Sequence, residues 1–309
     1  MGTPDFAVES LKILVENNYN IVGVVTMPDK PAGRGHKIQF SPVKKYALEQ
    51  NLPLLQPEKL KDETFLNELR ALKADLQIVV AFRMLPEVVW NMPKHGTFNL
   101  HASLLPQYRG AAPINWAIIN GEKETGATTF FLTHEIDTGK IILQEKIAIT
   151  ETDNAEIVHD KLMTMGAGLV KKTVDLIISG KVDAIDQSQF IQSKTELKPA
   201  PKIFKETCKI DLKQSVEEAY NFVRGLSPYP AAWMDITFPK QEEMILKVFD
   251  VEKEFEKHDF PIGTLVTDGK KQAKIALKNG FLILKSVQAP GKKRMEIGEL
   301  LRGFQSPKK

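Results

Sequence analysis

The chain has 309 residues, of which 42% are hydrophobic and 26% are charged, and this is enough material for two domains with sizeable cores. Its single cysteine, Cys208, excludes an intrachain disulfide and CxxC zinc sites, and it favours a reducing compartment. No apolar stretch approaches the roughly 20 residues of a membrane span, and no signal-peptide pattern opens the chain. We therefore expect a cytoplasmic protein that has no membrane partner.

The net charge of +3 is unevenly distributed along the chain. Residues 262–309 contain 11 Lys or Arg against 3 Asp or Glu, so the rest of the chain is net negative. A second basic stretch, DKPAGRGHKIQFSPVKK, occupies residues 29–45. Such asymmetry indicates an anionic partner such as nucleic acid, although a solvated lysine-rich surface would give the same counts.

Helical and strand patterns alternate in the first half of the chain. Apolar residues at helical spacing predict amphipathic helices over 6–17 and 63–73. Short β-branched runs predict buried strands over 20–27 and 76–82, and a further strand is predicted over 97–100.

The alternation continues to about residue 179. We predict a helix over 112–120, strands over 127–137 and 140–149, and a long helix over 154–179. Alternating β and α units predict an α/β fold with a Rossmann-like, mostly parallel sheet. The opening MGTPDF reads as a loop that a strand would normally feed, so we expect that an N-terminal strand is missing from the chain.

The second half of the chain has a different pattern. Residues 189–203 contain two prolines and little periodicity, which predicts a linker between a catalytic domain over 1–188 and a C-terminal domain over 204–309. After a helix over 215–226, only short strand-like runs follow, separated by Gly and Asp turns. This pattern predicts a small OB-like β-barrel.

Three polar residues at strand ends form the candidate catalytic group. Asn99 and His101 are two residues apart at the end of a predicted strand, so their side chains project to the same side, and Asp137 ends another apolar run. Ligands bind beyond the carboxyl ends of strands in open α/β sheets. An amide that stabilises a developing oxyanion, an imidazole that moves a proton and a carboxylate that orients it are suited to acyl transfer. On the spacing alone, a His and an Asp that merely cap a helix or turn are the more common explanation.

No serine or cysteine lies in a nucleophile-elbow motif. Direct transfer to an external nucleophile is therefore more natural than an acyl-enzyme. A nicotinamide-dependent dehydrogenase is disfavoured, because GRGHKI has only two of the glycines that G-x-G-x-x-G requires and does not open a helix.

The stretch FNLHASLLPQYRGAAPINWAIINGEKETGATTFF, over 98–131, and EIDTGKI, over 135–141, resemble the signature of the folate-dependent formyltransferases. The resemblance implies that Asn99, His101 and Asp137 are the catalytic triad and that 10-formyltetrahydrofolate is the formyl donor. It implies that the donor binds along Ser103, Leu104, Leu105 and Pro106, and that no metal is required. The segment before the aspartate, FLTHEID, lacks the Met- and Gly-rich form common in the family, whereas Asp137, Thr138 and Gly139 match it.

Further motifs resemble the members of this family that act on initiator methionyl-tRNA. They are MPDKPAGRGHKIQFSPVK over 27–44, APKIFKE over 200–206, LSPYPAAW over 226–233 and PGKKRMEIGELLRG over 290–303. The resemblance implies formyl transfer to the α-amine of the methionine on that tRNA, for translation initiation. The residues expected to contact the tRNA are Lys30, Arg34, Lys37, Lys202, Lys270, Lys271, Lys292, Lys293 and Arg294.

Two alternatives remain at this stage. A formyltransferase that acts on a small amine, such as an amino sugar or a ribonucleotide, would share the catalytic group. A non-enzymatic RNA-binding protein would explain the basic C-terminal domain but would leave the three polar residues without a role. Nothing in the sequence indicates a subunit interface, so we expect a monomer.

Overall fold

The computed structural model describes residues 1–32, 37–191 and 196–305. Its contacts divide the chain into two compact units. Unit 1 comprises Met1–Gly110, Glu124–Ile147 and His159–Pro199, and unit 2 comprises Ala111–Lys123, Ala148–Val158 and Ala200–Lys309. The predicted domains were single continuous stretches of chain, whereas each unit of the structure draws on three.

The elements follow one another in a mixed order. The helices are α1 (Asp5–Glu16), α2 (Pro42–Glu49), α3 (Glu63–Ala71), α4 (Glu87–Trp90), α5 (Pro113–Ile119), α6 (Ala155–Ile178), α7 (Val216–Leu226) and α8 (Ile297–Gln305). The strands are β1 (Val24–Val25), β2 (Lys30–Ala32), β3 (Lys37–Gln39), β4 (Leu54–Leu55), β5 (Gln77–Val80), β6 (Thr97–His101), β7 (Glu124–Phe131), β8 (Ile141–Ala148), β9 (Ala232–Ile236), β10 (Met244–Glu254), β11 (Leu265–Thr267), β12 (Ala273–Leu277), β13 (Gly280–Gln288) and β14 (Met295–Glu296). Two 3₁₀ helices span Gln187–Phe190 and Glu206–Cys208.

The sheet of unit 1 that carries the candidate site has the order β5-β6-β7-β8. Strands β5 and β6 are parallel, so their carboxyl ends lie side by side, and β6 pairs antiparallel with β7. A parallel pair, β1 and β4, and an antiparallel pair, β2 and β3, complete the strands of this unit. The expected α/β fold is confirmed.

The first residues of the chain run along the edge of β5. The α-amino group of Met1 donates a hydrogen bond to the carbonyl of Ile78 (2.7 Å), and Gly2 forms a parallel bridge with Val80. The Gly2 N–H donates to the carbonyl of Val25 (3.0 Å), so this short segment also contacts β1.

Unit 2 is an antiparallel sheet covered by helices. Its strand order is β11-β12-β13-β10-β9, and β14 pairs with β13. The helix α7 starts with a capping box in which Ser215 and Glu218 satisfy each other's backbone N–H groups. Leu226 on α7, Leu246 on β10, Leu282 on β13 and Leu300 on α8 belong to one buried core. The predicted β-rich C-terminal domain is therefore confirmed.

Some predicted elements differ from the observed ones. The strand predicted over 20–27 is reduced to β1, and the strand predicted over 127–137 ends at residue 131, because a turn carries the chain from there to β8. The expectation of only strands after residue 226 was wrong, because α8 closes unit 2. Its apolar residues Ile297, Leu300, Leu301 and Phe304 follow the helical period of 3.6. No helix among the described residues is long and apolar enough to cross a membrane.

Candidate active site

The carboxyl end of β6 presents the first two candidate side chains. Asn99 and His101 lie on the same face of β6, and His101 is 6% exposed. Asn99 faces Val79 of β5 on one side and Phe130 of β7 on the other. The rings of Phe130 and His101 are nearly perpendicular, with their centres 6.5 Å apart. The neighbouring strands therefore hold both side chains at the edge where ligands bind in sheets of this kind.

Asp137 reaches the same place from the turn between β7 and β8. Its Oδ2 lies 3.8 Å from His101 Nδ1 and accepts a hydrogen bond from the Gly110 N–H (2.9 Å). Its backbone is left-handed (φ 55°), a conformation that costs free energy for a residue other than glycine. The structure thus brings the predicted carboxylate and imidazole together through a strained turn, whereas the sequence predicted the end of a strand.

The hydrogen bonds fix the tautomer of His101. Its Nε2 lies 2.8 Å from the carbonyl oxygen of Tyr108, which can only accept, so Nε2 carries the hydrogen. In the neutral imidazole, Nδ1 then holds the lone pair and faces the Asp137 carboxylate. This nitrogen can take up a proton, and the carboxylate then stabilises the resulting cation. The left-handed backbone of Tyr108 (φ 59°) accompanies this arrangement.

Asn99 has an unsatisfied polar atom. Its Oδ1 is buried and has no hydrogen-bond partner among the residues that the structure describes. A buried acceptor without a partner costs about 1–3 kcal/mol. Such an atom next to a His–Asp pair fits a site that completes its hydrogen bonds with a ligand. Because the oxygen is buried, an N–H or O–H group of a ligand would reach it only after the Asn99 side chain turns.

The loop predicted to contact folate is rigidly fixed. Ser103 Oγ donates to the carbonyl of Gln107 (2.7 Å), and Gln144 Nε2 donates to the carbonyl of Leu105 (2.7 Å). The Leu105 N–H donates to Thr128 Oγ1 (3.1 Å), and the Leu105–Pro106 peptide bond is cis. Ser103, Leu105 and Pro106 are buried and Leu104 is half-buried, so side-chain contact with a ligand could come only from Leu104 without rearrangement.

A second loop at this edge was missed by the sequence analysis. It follows β5, the parallel neighbour of β6, and contains Arg83 and Met84, the latter 71% exposed. The guanidinium of Arg83 donates to the carbonyls of Pro57 and Glu58, while its Nε is buried without a partner in the described ranges. Burial lowers the pKa of this guanidinium. The signal in the sequence was the position of these residues directly after a buried strand.

No cluster of three or more His, Cys, Asp or Glu that could hold a metal ion occurs within residues 1–32, 37–191 and 196–305. His101 and Asp137 are therefore not part of such a cluster within the described residues. What the site offers is an amide, an imidazole and a carboxylate.

Comparison with known protein families identifies the relationship. A family described as "Formyl transferase" matches residues 1–174, and one described as "Formyl transferase, C-terminal domain" matches residues 202–305. The chain belongs to the formyl transferase family. The resemblance inferred from the sequence motifs is therefore confirmed, and so is the α/β class of its fold.

Curated formyl transferases resemble this chain along nearly its whole length. The methionyl-tRNA formyltransferase of Bacteroides thetaiotaomicron is 66% identical over 304 residues, which cover 98% of this chain and 94% of that protein. The methionyl-tRNA formyltransferase of Flavobacterium johnsoniae is 56% identical over 304 residues, which cover 98% of this chain and 95% of that protein.

Solved formyl transferase structures share the fold at lower identity. The sugar 3N-formyl transferase WlaRD, solved with dTDP and 5-N-formyl-THF, has a TM-score of 0.63 and 20% identity, and the match covers 94% of this chain and 97% of that one. An N-formyltransferase from Helicobacter canadensis, in complex with folinic acid and dTDP-3-aminofucose, also has a TM-score of 0.63, with 21% identity and coverages of 93% and 97%. Their similarity to this formyl transferase concerns the fold.

The basic residues expected to contact tRNA lie in three places in this formyl transferase: the stretch around Arg34, the predicted linker, and two turns of unit 2. Arg34 lies outside the described residues, and Lys30 and Lys37 belong to β2 and β3, whose backbones alone are described. Lys202 is exposed, with its ammonium 5.3 Å from the centre of the Phe204 ring.

The remaining basic residues lie on two turns of unit 2. Lys270 and Lys271 are in the turn between β11 and β12, and Lys292, Lys293 and Arg294 are between β13 and β14. Because β12 and β13 are antiparallel, both turns lie at the same end of the sheet. All five residues are exposed, and within the described part of the chain none forms an ion pair, although Arg294 packs on the Phe249 ring (4.7 Å).

Proposed function

We propose that this chain transfers the formyl group of 10-formyltetrahydrofolate to the α-amine of the methionine esterified to initiator tRNA. The proposal rests on the His101–Asp137 pair beside the unpartnered Asn99 oxygen, at the carboxyl edge of a formyl transferase sheet. The identity of the acceptor rests on the relatives at 66% and 56% identity, which carry the name methionyl-tRNA formyltransferase.

His101 acts as the base in the proposed reaction. A bond forms between the methionine nitrogen and the formyl carbon, the bond from that carbon to N10 of the folate breaks, and N10 takes up a proton. The amine loses a proton in the same sequence, and Nδ1 of His101 accepts it because Nε2 already donates to Tyr108. Asp137, held 3.8 Å away by the Gly110 N–H, stabilises the imidazolium.

Asn99 positions both reacting groups. One N–H of its side chain can donate to the formyl oxygen, where negative charge develops. A rotation of the side chain would let its buried Oδ1 accept from the attacking amine. The hydrogen bonds of a side-chain amide determine which of its two terminal atoms is the oxygen, so the orientation of the Asn99 amide is part of the proposal. An oxyanion donor of this kind contributes about 10²–10³-fold to the rate.

We assign the formyl donor to the edge formed by the loops after β5 and β6. The support is that solved family members of the same fold were obtained with reduced folates. Ser103–Pro106 supply a fixed backbone there, and Met84 and Leu104 supply apolar surface. The folate is consumed as a substrate, and the side-chain N–H of Asn99 is the group that would contact its formyl oxygen.

The basic turns of unit 2 would contact the phosphate backbone of the tRNA. Five unpaired charges at one end of a sheet suit a sequence-independent phosphate contact. Lys30, Arg34, Lys37 and Lys202 remain proposed contacts near the acceptor end. With this function we expect the protein to act in the cytoplasm, where initiator tRNA is charged, and we retain the expectation of a monomer.

A small amine is the alternative acceptor. Sugar formyl transferases share the fold, but their identity to this chain is 20–21%, so only the fold is common. The relatives at more than 50% identity are named for the tRNA reaction. A non-enzymatic RNA-binding role is disfavoured because the chain matches formyl transferases across both domains.

The deciding experiment is a formyl-transfer assay with radiolabelled methionyl initiator tRNA and 10-formyltetrahydrofolate. We expect activity with the wild-type chain, a loss of about 10²–10⁴-fold in His101→Ala, and no change in His159→Ala. His159 is a matched control because it lies on α6 and contacts Phe6 and Asp160 instead. Formylation of an amino sugar but not of charged tRNA would replace the proposed acceptor with the small-amine alternative.

A further inference from the structure

Gln187 connects two segments that flank the His101–Asp137 pair. It begins the 3₁₀ helix Gln187–Phe190, 50 residues after Asp137, and it is 3% exposed. Its Nε2 donates hydrogen bonds to the carbonyl oxygens of Asp137 (2.8 Å) and Gly139 (2.9 Å). Its Oε1 accepts from Arg109 Nε (3.1 Å) and Nη2 (2.6 Å).

These four hydrogen bonds specify the side chain. The guanidinium of Arg109 can only donate, which fixes the orientation of the Gln187 amide, and the two carbonyls then use both N–H groups. A glutamate at this position would accept from Arg109 but could not donate to the carbonyls when ionised. A methionine would fill a similar volume and make none of the four bonds.

Gln187 is itself held in place by the edge of the sheet. Ile185 and Ile141 of β8 exchange two backbone hydrogen bonds (both 2.8 Å). Asp186 caps the 3₁₀ helix by accepting from the Ser188 N–H (2.9 Å). The segment that carries Gln187 is therefore anchored to β8, and its side-chain amide can restrain the turn that carries Asp137.

Both segments that Gln187 restrains contact His101. The turn with Asp137 supplies the carboxylate at 3.8 Å, and its left-handed backbone needs restraint from its surroundings. The segment with Arg109 supplies the Tyr108 carbonyl to Nε2 and the Gly110 N–H to the carboxylate. One buried amide thus fixes the distance between the two partners of the imidazole.

We propose that Gln187, through Arg109 and the Asp137–Gly139 turn, is a positioning residue for formyl transfer. In this proposal Gln187 acts through Asp137 and not through a contact with a substrate. The inference rests on the proposed function for its kinetic test, and a second readout, which needs no substrate, tests the positioning directly.

The kinetic test compares Gln187→Met, Gln187→Glu and Gln189→Met. We expect both Gln187 variants to lower kcat by about 10–100-fold, the usual effect of losing a group that orients a reactive side chain. We expect KM for the tRNA and for the folate to change by less than about threefold. Gln189 is the matched control, because it is an exposed glutamine in the same 3₁₀ helix and we expect no change in its variant.

A double-mutant cycle tests whether Arg109 and Gln187 act as one unit. We expect Arg109→Met combined with Gln187→Met to lower kcat no further than the more severe single variant. Thermal unfolding is measured on every variant. Gln187→Glu preserves the size of the side chain and the contact with Arg109, so it tests the donor bonds even if the methionine variant does not fold.

The direct readout is the imidazole ¹⁵N signal of His101, assigned with the His101→Ala variant among the six histidines of the chain. We expect its Nδ1 shift to move in both Gln187 variants and to stay unchanged in Gln189→Met. Wild-type kcat in Gln187→Glu, a loss confined to KM, or an unmoved His101 signal would overturn the inference. An inactive wild-type chain would refute the proposed function instead, and the ¹⁵N comparison would still decide the role of Gln187.

Discussion

Replacing Asn99 with leucine separates the proposed catalytic role of this residue from any structural role. The two side chains have the same number of heavy atoms, but leucine has no polar group. Asn99 Oδ1 is buried without a partner among the described residues, so the substitution removes an acceptor that the fold leaves unsatisfied. Activity and stability should therefore change in opposite directions.

The magnitudes follow from the geometry. An unsatisfied buried acceptor costs about 1–3 kcal/mol, and the extra volume of leucine between Val79 and Phe130 offsets part of the gain. We expect a net stabilisation of about 1 kcal/mol, which corresponds to a Tm increase of about 2–4 °C for a domain of this size. We expect kcat to fall by about 10²–10³-fold, because an oxyanion donor is lost.

The assay pairs differential scanning calorimetry with formyl-transfer kinetics on the same preparation. The reasoning fails if the variant loses several degrees in Tm along with its activity, because Asn99 would then support the fold. It also fails if kcat stays within a few fold of wild type. Asn99→Asp provides a comparison, because an ionised carboxylate cannot donate to a formyl oxygen and we expect the same loss of kcat.

Three further predictions concern charge, acid stability and backbone packing. The basic turns contain four lysines, Lys270, Lys271, Lys292 and Lys293. Replacing all four with alanine should reduce the slope of log affinity for tRNA against log salt concentration by about 3 in filter-binding assays. An unchanged slope would show that these turns do not contact the tRNA. Backbone N–H groups of Gln272, Lys270 and Lys271 lower the pKa of Asp268 to about 2. The stability that this carboxylate adds to the fold is therefore complete above its ordinary pKa of 3.8 and is lost as the pH falls through about 2. In Asp268→Asn the Tm should depend less on pH over this range, and an unaltered pH dependence of Tm would contradict the assignment. A Cβ on Gly139 would lie 1.6 Å from the Phe131 carbonyl oxygen, whereas one on Gly168 meets nothing within 4 Å. Gly139→Ala should therefore lower Tm and activity, while Gly168→Ala, in α6, should stabilise the fold by about 0.5–1 kcal/mol. Similar Tm values for the two variants would argue against this packing.

The sequence predicted the candidate site best where function resides in side chains on regular structure. Asn99 and His101 could be recognised because a strand places alternate residues on one face and its carboxyl end meets the ligand edge. Asp137 was recognised by its motif, although its strand was predicted to extend six residues beyond the observed end of β7. The strand pattern and the family motif therefore sufficed to propose these three residues without tertiary information.

The remainder of the site depends on backbone conformation and long-range contacts. Nothing in the local sequence indicates that the backbone of Tyr108 is left-handed (φ 59°) or that its carbonyl points towards His101. Gln187 lay beside the predicted linker boundary, and its role depends on pairing between Ile185 and β8, which periodicity does not predict. The shortened strand at 20–27 has the same cause, since its β-branched residues pair with another strand only at Val24 and Val25.

The helix α5 has consequences for how this architecture can be recombined. It lies between β6 and β7 in the chain, yet Ile119 at its end packs with the core of unit 2, and the Asn115 side chain donates to the carbonyl of Gly225 on α7 (2.7 Å). A chimera that exchanged C-terminal domains by one cut in the linker would join an α5 from one parent to an α7 from another. Working exchanges should instead carry residues 111–123 and 148–158 along with the C-terminal residues, so exchange of whole domains requires several crossovers rather than one.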